Sequence, residues 1–165
     1  MTFVEPIVAH APNQKVMAKQ WLKGYQYGPR WVPPLIAPGT LANLYLAYMA
    51  TNAGQRNLYI MAGLGIFSIL PLTFFYMEPG INGASKWKVQ ILLKDEGFTM
   101  SDTTIFHPSA HRHGSTEASR RWAEKTDMRD LILYWRKVNN WRWVIALMAT
   151  GCSGFGTFAF LTSSS

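Results

Sequence analysis

The chain has 165 residues, of which 16 are Lys or Arg and 9 are Asp or Glu, for a formal net charge of +7. None of those charges falls in residues 31 to 55, 57 to 77 or 143 to 165, and about 20 predominantly apolar helical residues suffice to cross the ~30 Å hydrocarbon core of a bilayer. Three membrane helices are the economical reading, and a soluble single domain is disfavoured.

Residues 1 to 20 carry Glu5, Pro6, Pro12, Lys15 and Lys19 and no apolar run, so no cleavable signal peptide is expected and insertion begins with the first spanning helix. Over residues 15 to 30, Val16, Trp21, Leu22 and Tyr25 alternate with Lys15, Lys19 and Lys23 near helical spacing. This reads as an amphipathic interfacial helix lying on the membrane surface. Pro33 and Pro34 are expected to end it.

The first spanning helix is predicted over residues 35 to 52, where Pro38, Gly39, Thr40 and Asn43 imply one face turned into a bundle. A short turn from Thr51 to Arg56 makes the second span, residues 57 to 77, its antiparallel neighbour. Pro71 should kink that helix or open it locally, two residues before Thr73. Glu78, Pro79 and Gly80 then turn the chain, with Asn82 at the interface.

Residues 78 to 126 read as a cytosolic connection, least structured between Lys86 and Arg121. From Asp127 the pattern changes. Asp127 offers an N-cap and Asp130 a first-turn acid, while Met128, Leu131, Ile132, Trp135 and Val138 recur at helical intervals. No breaker follows, so one long helix is expected from about 127 to 161, cytosolic over 127 to 142 and spanning over 143 to 162. The predicted class is an all-α membrane protein: a three-helix membrane bundle forming a single domain over residues 1 to 165.

With these spans, 15 of the 16 basic residues fall on one side and only Arg56 on the other. That bias places the N-terminus and the middle segment in the cytoplasm. It also accounts for the positive charge without nucleic acid, for which the chain shows no recognised module.

Few groups suggest chemistry. His107, His111 and His113 are ligand types in a poor metal context, since His111 and His113 are too close to share a helical face and no cysteine completes the set. Gly151, Gly154 and Gly156 lie in an apolar window with no strand before them, which suits close helix packing rather than a nucleotide loop. Cys152, the single cysteine, reads as a small packing residue. The sharper feature is Trp135, Asn139 and Arg142, spaced i, i+4, i+7 on one helical face.

Three runs carry a family resemblance: Gln20-Trp21-Leu22-x-Gly24-Tyr25-x-x-Gly28 with Pro33-Pro34-Leu35-x-Ala37; Pro71-Leu72-Thr73-x3-Met77-x-Pro79-x2-Asn82; and Trp135-x3-Asn139-x2-Arg142. In their order and spacing they resemble the anthrone oxygenases, small membrane proteins typical of fungal polyketide pathways. The resemblance extends over about residues 20 to 160. It implies an integral membrane protein of a eukaryotic endomembrane that oxidises an anthrone-type aromatic polyketide to the anthraquinone, through the substrate's enolate, with molecular oxygen as co-substrate and without metal or flavin.

On that resemblance, Trp21, Tyr25 and Trp135 form an apolar slot for a flat tricycle, and Thr73, Asn82 and Asn139 bind its oxygens. Arg142 stabilises the enolate and the peroxide. The general base stays open among Asp130, Glu78 and His10. Family members usually have a further spanning helix before the Gln-Trp segment, where this chain has 19 residues without an apolar run. The open flank is therefore expected to be covered by a second copy, a membrane partner subunit or an upstream helix. The competing function is a non-catalytic membrane subunit or scaffold in a biosynthetic assembly.

Overall fold

A computed structural model describes residues 4–104, 107 and 109–163. Its described residues are all-α: α1 (Val4–His10), α2 (Gln14–Met49), α3 (Ala53–Pro71), α4 (Gly83–Leu92), α5 (Glu117–Lys125) and α6 (Met128–Ser163). A wide-turn π segment, Leu72–Asn82, joins α3 to α4, and a single 3-10 turn, Lys94–Glu96, follows α4. One isolated bridge pairs Asp102 with His113.

Pro33 and Pro34 do not end the first element, because Gln14–Met49 is one helix of 36 residues. Proline's φ near −65° is itself a helical value, so the pair removes two amide donors without forcing the backbone to turn. Nor is 15 to 30 a separate helix laid on a membrane surface. Its apolar face, Met17, Ala18, Trp21, Leu22 and Tyr25, is buried in the protein core with Met128, Leu131, Ile132 and Trp135.

Pro71 marks the point where α-helical spacing gives way to the π segment. A proline has no N–H to give its preceding turn, and a wider turn is one way a helix absorbs that loss. Inside the π segment the backbone leaves helical values at Gly80 (φ −90°, ψ −109°) before α4 begins. The stretch expected to be least structured, 86 to 121, is helical at both ends. Its charges hid an inward face: Ala84, Ser85, Lys86 and Val89 of α4, and Ser119 and Ala123 of α5, are buried.

The helices fall into two compact units. The first comprises Met1–Arg30 and Leu72–Asn139 and holds the main buried apolar cluster. At the start of α6, Gln14 Oε1 accepts from the Met128 amide (3.1 Å), while Gln14 Nε2 donates to Asp127 Oδ1 (2.9 Å). The Gln14 side chain thereby caps a helix begun 114 residues later. Lys15 and Lys19 pair with Asp95 and Glu96 on the surface.

The second unit comprises Trp31–Pro71 and Asn140–Ser165. Asn52 Oδ1 caps α3 by accepting from the Gly54 amide at 2.8 Å. Gly39 faces Ile66, Gly63 faces Leu44, Gly65 faces Ala149 and Gly156 faces Tyr59. In each pair series one number rises as the other falls, so α3 runs antiparallel to this part of α2 and of α6. Small residues let these backbones approach closely. The outer surface carries Leu35, Leu41, Tyr48, Leu64, Leu147, Met148, Phe155 and Phe158, all exposed. Among the described residues, Ala53–Leu92 contains the one stretch that passes as a membrane span by length and composition.

Of the glycines in the first unit, Gly83 has the tightest surroundings. A Cβ there would stand 2.7 Å from Ser115 Cα, 2.8 Å from the Glu78 carbonyl and 2.9 Å from the Ser115 amide nitrogen. All three are backbone atoms that cannot swing aside. Gly83→Ala should therefore lower stability by about 1–3 kcal/mol. Gly28→Ala, which meets nothing within 4 Å, should be neutral or raise it by up to ~1 kcal/mol. Thermal unfolding of both variants in one detergent checks the contrast.

Candidate active site

The π segment and the first turns of α4 bring Glu78, Asn82 and Lys86 to the inside of the first unit, with exposures of only 3%, 2% and 0%. Lys86 Nζ forms an ion pair with Glu78 Oε1 and donates to the carbonyls of Ser109 and Arg112, each at 2.9 Å. Glu78 Oε2 accepts from the Tyr25 hydroxyl (2.8 Å) and from Asn82 Nδ2 (3.0 Å). Asn82 Oδ1 in turn accepts from Trp135 Nε1 at 2.9 Å. An acid, an ammonium, an amide, a phenol and an indole thus form one buried hydrogen-bonded chain.

Aromatic rings enclose it. Trp21 stacks on Tyr25 with centroids 5.1 Å apart and meets Trp135 edge-on at 5.9 Å. The Lys86 ammonium also lies 5.1 Å from the Tyr25 ring centroid, a favourable cation–π arrangement. Two polar atoms here lack a partner among the described residues, Trp21 Nε1 and Ser85 Oγ.

Of the residues anticipated from sequence, Trp21, Tyr25, Asn82 and Trp135 meet in this cluster. Asn139, 2% exposed, stands one turn after Trp135 on α6. Thr73 is half-buried in the π segment. Arg142 is half-buried in the second unit. Among the three possible bases, Glu78 is buried at the centre, whereas Asp130 and His10 are exposed.

Lys86 was missed. It reads as the first residue of a polar connection, yet Glu78, Asn82 and Lys86 recur every four residues, a spacing that places them on one helical face. The Pro79-Gly80 pair between them disguised that signal.

A second polar group lies beside α4. His113, 2% exposed, meets Ser115 Oγ at 3.0 Å and Asp102 Oδ1 at 3.2 Å through Nδ1, and its ring packs edge-on against Trp87. Arg120 donates to Ser115 Oγ and Asp102 Oδ1 and lies over the Trp87 ring. Burial holds the His113 imidazole below the ordinary histidine range, outweighing Asp102, while Arg120 and Lys86 push the same way as burial. His107 and His111 are exposed, and His111 pairs with Gln26.

A model of the anthrone oxygenase family matches residues 21–152. The chain belongs to the anthrone oxygenase family. The matched region contains Trp21, Tyr25, Thr73, Glu78, Asn82, Lys86, Trp135, Asn139 and Arg142. The buried cluster is therefore built wholly from residues inside the anthrone oxygenase match. No curated protein and no solved structure was found to match the chain.

Removing one member of a buried ion pair leaves an uncompensated charge, at a typical cost of about 3–5 kcal/mol. Glu78→Gln should lose that much stability and Lys86→Met should lose a comparable amount. Combined, the two should lose clearly less than their sum, because the double variant buries no lone charge. Chemical denaturation of the four proteins in the cycle measures the coupling.

The His113 shift has a definite sign. The folded-state value lies below the unfolded one, so the unfolded chain takes up the proton first as pH falls. Stability is then full above about pH 6.5, the unperturbed histidine value, and declines as pH falls from there through the folded-state value. His113→Gln should flatten that slope in thermal unfolding between pH 7 and 5.

Proposed function

We propose that this protein oxidises an anthrone-type aromatic polyketide to the anthraquinone with molecular oxygen, in a membrane and without metal or flavin. The family match over residues 21–152 carries the oxygenase reading. The buried Glu78 cluster supports the finer one, because its groups suit proton transfer and anion stabilisation.

An anthrone's methylene, flanked by two aryl rings and conjugated to a carbonyl, loses a proton to give an electron-rich enolate. In this reading Glu78 accepts that proton, directly or by way of the Tyr25 hydroxyl bonded to it. The enolate carbon then adds oxygen, two electrons passing from carbon to O2 in the new C–O bond, and a proton completes the hydroperoxide. Loss of the second methylene hydrogen as a proton, with cleavage of the O–O bond, forms the new C=O and releases water. One anthrone and one O2 give one anthraquinone and one H2O.

Asn82 and Asn139 serve as polar contacts for the substrate's oxygens, with Thr73, and the rings of Trp21, Tyr25 and Trp135 hold its flat apolar body. Arg142 enters by its spacing, on the same α6 face as Trp135 and Asn139. Its role is to stabilise negative charge on the enolate and the peroxide. The exposed apolar surface of the second unit supports the membrane location, and the one-sided basic charge supports a cytosolic N-terminus.

Oxygen uptake by protein purified in nanodiscs should depend on added anthrone with one O2 consumed per quinone formed. With ¹⁸O2, one label should appear in the new carbonyl and one in water, and added chelator should leave the rate unchanged. Absence of anthrone-dependent uptake by folded protein would remove the reading.

Arg142→Lys keeps a cation but loses the planar fork. If Arg142 stabilises the developing charge, the rate should fall ~10²-fold or more with the unfolding temperature preserved. A wild-type rate in a folded Arg142→Ala protein would take Arg142 out of the mechanism.

A further inference from the structure

The indole of Trp21 is completely buried, and its N–H has no partner among the described residues. Leaving a buried donor unmade typically costs as much as a hydrogen bond is worth, and native interiors rarely do so. The contrast lies within the same cluster. Trp135, whose ring meets that of Trp21, has its own N–H satisfied by Asn82.

Nothing in the packing asks for the nitrogen. Trp21 stacks on Tyr25 with the planes 19° apart and meets Trp135 at 89°, and phenylalanine makes both kinds of contact without burying a polar atom. An indole N–H lies in the plane of its ring, so the stacked Tyr25 face cannot accept it. The Trp135 face is at most a weak acceptor. Ser85 Oγ is also unpartnered, but a hydroxyl rotates and can back-bond to its own helix. The rigid indole carries the stronger signal.

We infer that the Trp21 N–H is a ligand-reading donor, which hydrogen-bonds a carbonyl or phenolate oxygen of the aromatic molecule bound beside the Glu78 cluster. This rests on the oxygenase reading above and sharpens it. Trp21 then contributes polar selection of an oxygen atom as well as an apolar wall. The site discriminates an oxygenated tricycle from a bare hydrocarbon of the same shape.

The test compares radiolabelled 9,10-anthraquinone with anthracene, which has the same tricyclic outline and no oxygen, for retention on protein in nanodiscs corrected with empty nanodiscs. Trp21→Phe should weaken anthraquinone binding roughly fivefold to tenfold more than anthracene binding, the excess being the loss of one hydrogen bond, because any wall area given up by the smaller ring is lost to both compounds alike. Should Trp21→Phe fold poorly, benzothienylalanine at position 21, with sulfur in place of N–H and the same outline, should show the same selective loss.

Equal weakening of both compounds would reduce Trp21 to a packing wall and overturn the inference. Unchanged binding of both would mean that the N–H is satisfied by the Trp135 face or by water, and would overturn it equally. Either result with anthrone-dependent oxygen uptake intact in the wild type leaves the oxygenase reading standing. A wild type that neither binds anthraquinone nor consumes oxygen takes down both.

Discussion

Glu78 and Lys86 are opposite charges withdrawn from water, and the first unit is arranged around the need to satisfy them. Desolvating two ions costs several kcal/mol each, and their attraction repays this only when the remaining lone pairs and protons are also bonded. Tyr25 and Asn82 complete the carboxylate from α2 and from the end of the π segment. The carbonyls of Ser109 and Arg112 complete the ammonium. The segment before α5 is thus drawn over α4, and the close approach of Ser115 to Gly83 is part of the same closure. An apolar pair of similar volume would stabilise a core about as well. The charged pair, with a phenol and an amide on its acid, is the feature on which the proposed proton transfer rests.

The backbone that presents this pair is irregular for a definable reason. Pro71 and Pro79 each remove an amide donor from what would otherwise be a continuous helix from α3 to α4. The chain answers with a π segment and a break at Gly80. Both re-aim the following side chains. Sequence alone placed a kink at Pro71, because a missing donor is a local property. It did not show that Glu78, Asn82 and Lys86 would still converge across the irregular turn, since that depends on which residues the chain brings to meet them.

The same division separates what was legible from what was not. The long final helix announced itself through Met128, Leu131, Ile132 and Trp135, because amphipathic periodicity survives without knowledge of its partner. The runs around Trp21, Asn82 and Trp135 identified the family through residue types at fixed offsets, and four of the aromatic and amide residues singled out there do meet. The pair Pro33-Pro34 misled because proline's φ is itself a helical value, so two missing amide donors need not end a helix. Lys86 misled in the opposite way. A lysine reads as solvated until its counter-charge is found, and that counter-charge lay across a proline, a glycine and a π turn.

What the cluster can do follows from its donor set. A carboxylate, an ammonium, an amide, a phenol and two indoles move protons, donate hydrogen bonds and offset charge; none is a ready source of electrons for oxygen. In the reading proposed above the anthrone itself is the reductant, and it becomes one only after losing a proton. Under the proposed reading, the protein's contribution is then concentrated in that first ionisation and in holding the resulting anion. Both are tasks for which a buried acid with a phenol on one oxygen and an ammonium on the other is suited. A simple aryl ketone lacking the acidic methylene would occupy the same slot without being consumed. Turnover on this view is limited by the substrate's carbon acidity rather than by access of oxygen, so a deuterated methylene should slow oxygen uptake while an equally bulky non-acidic ketone merely inhibits it.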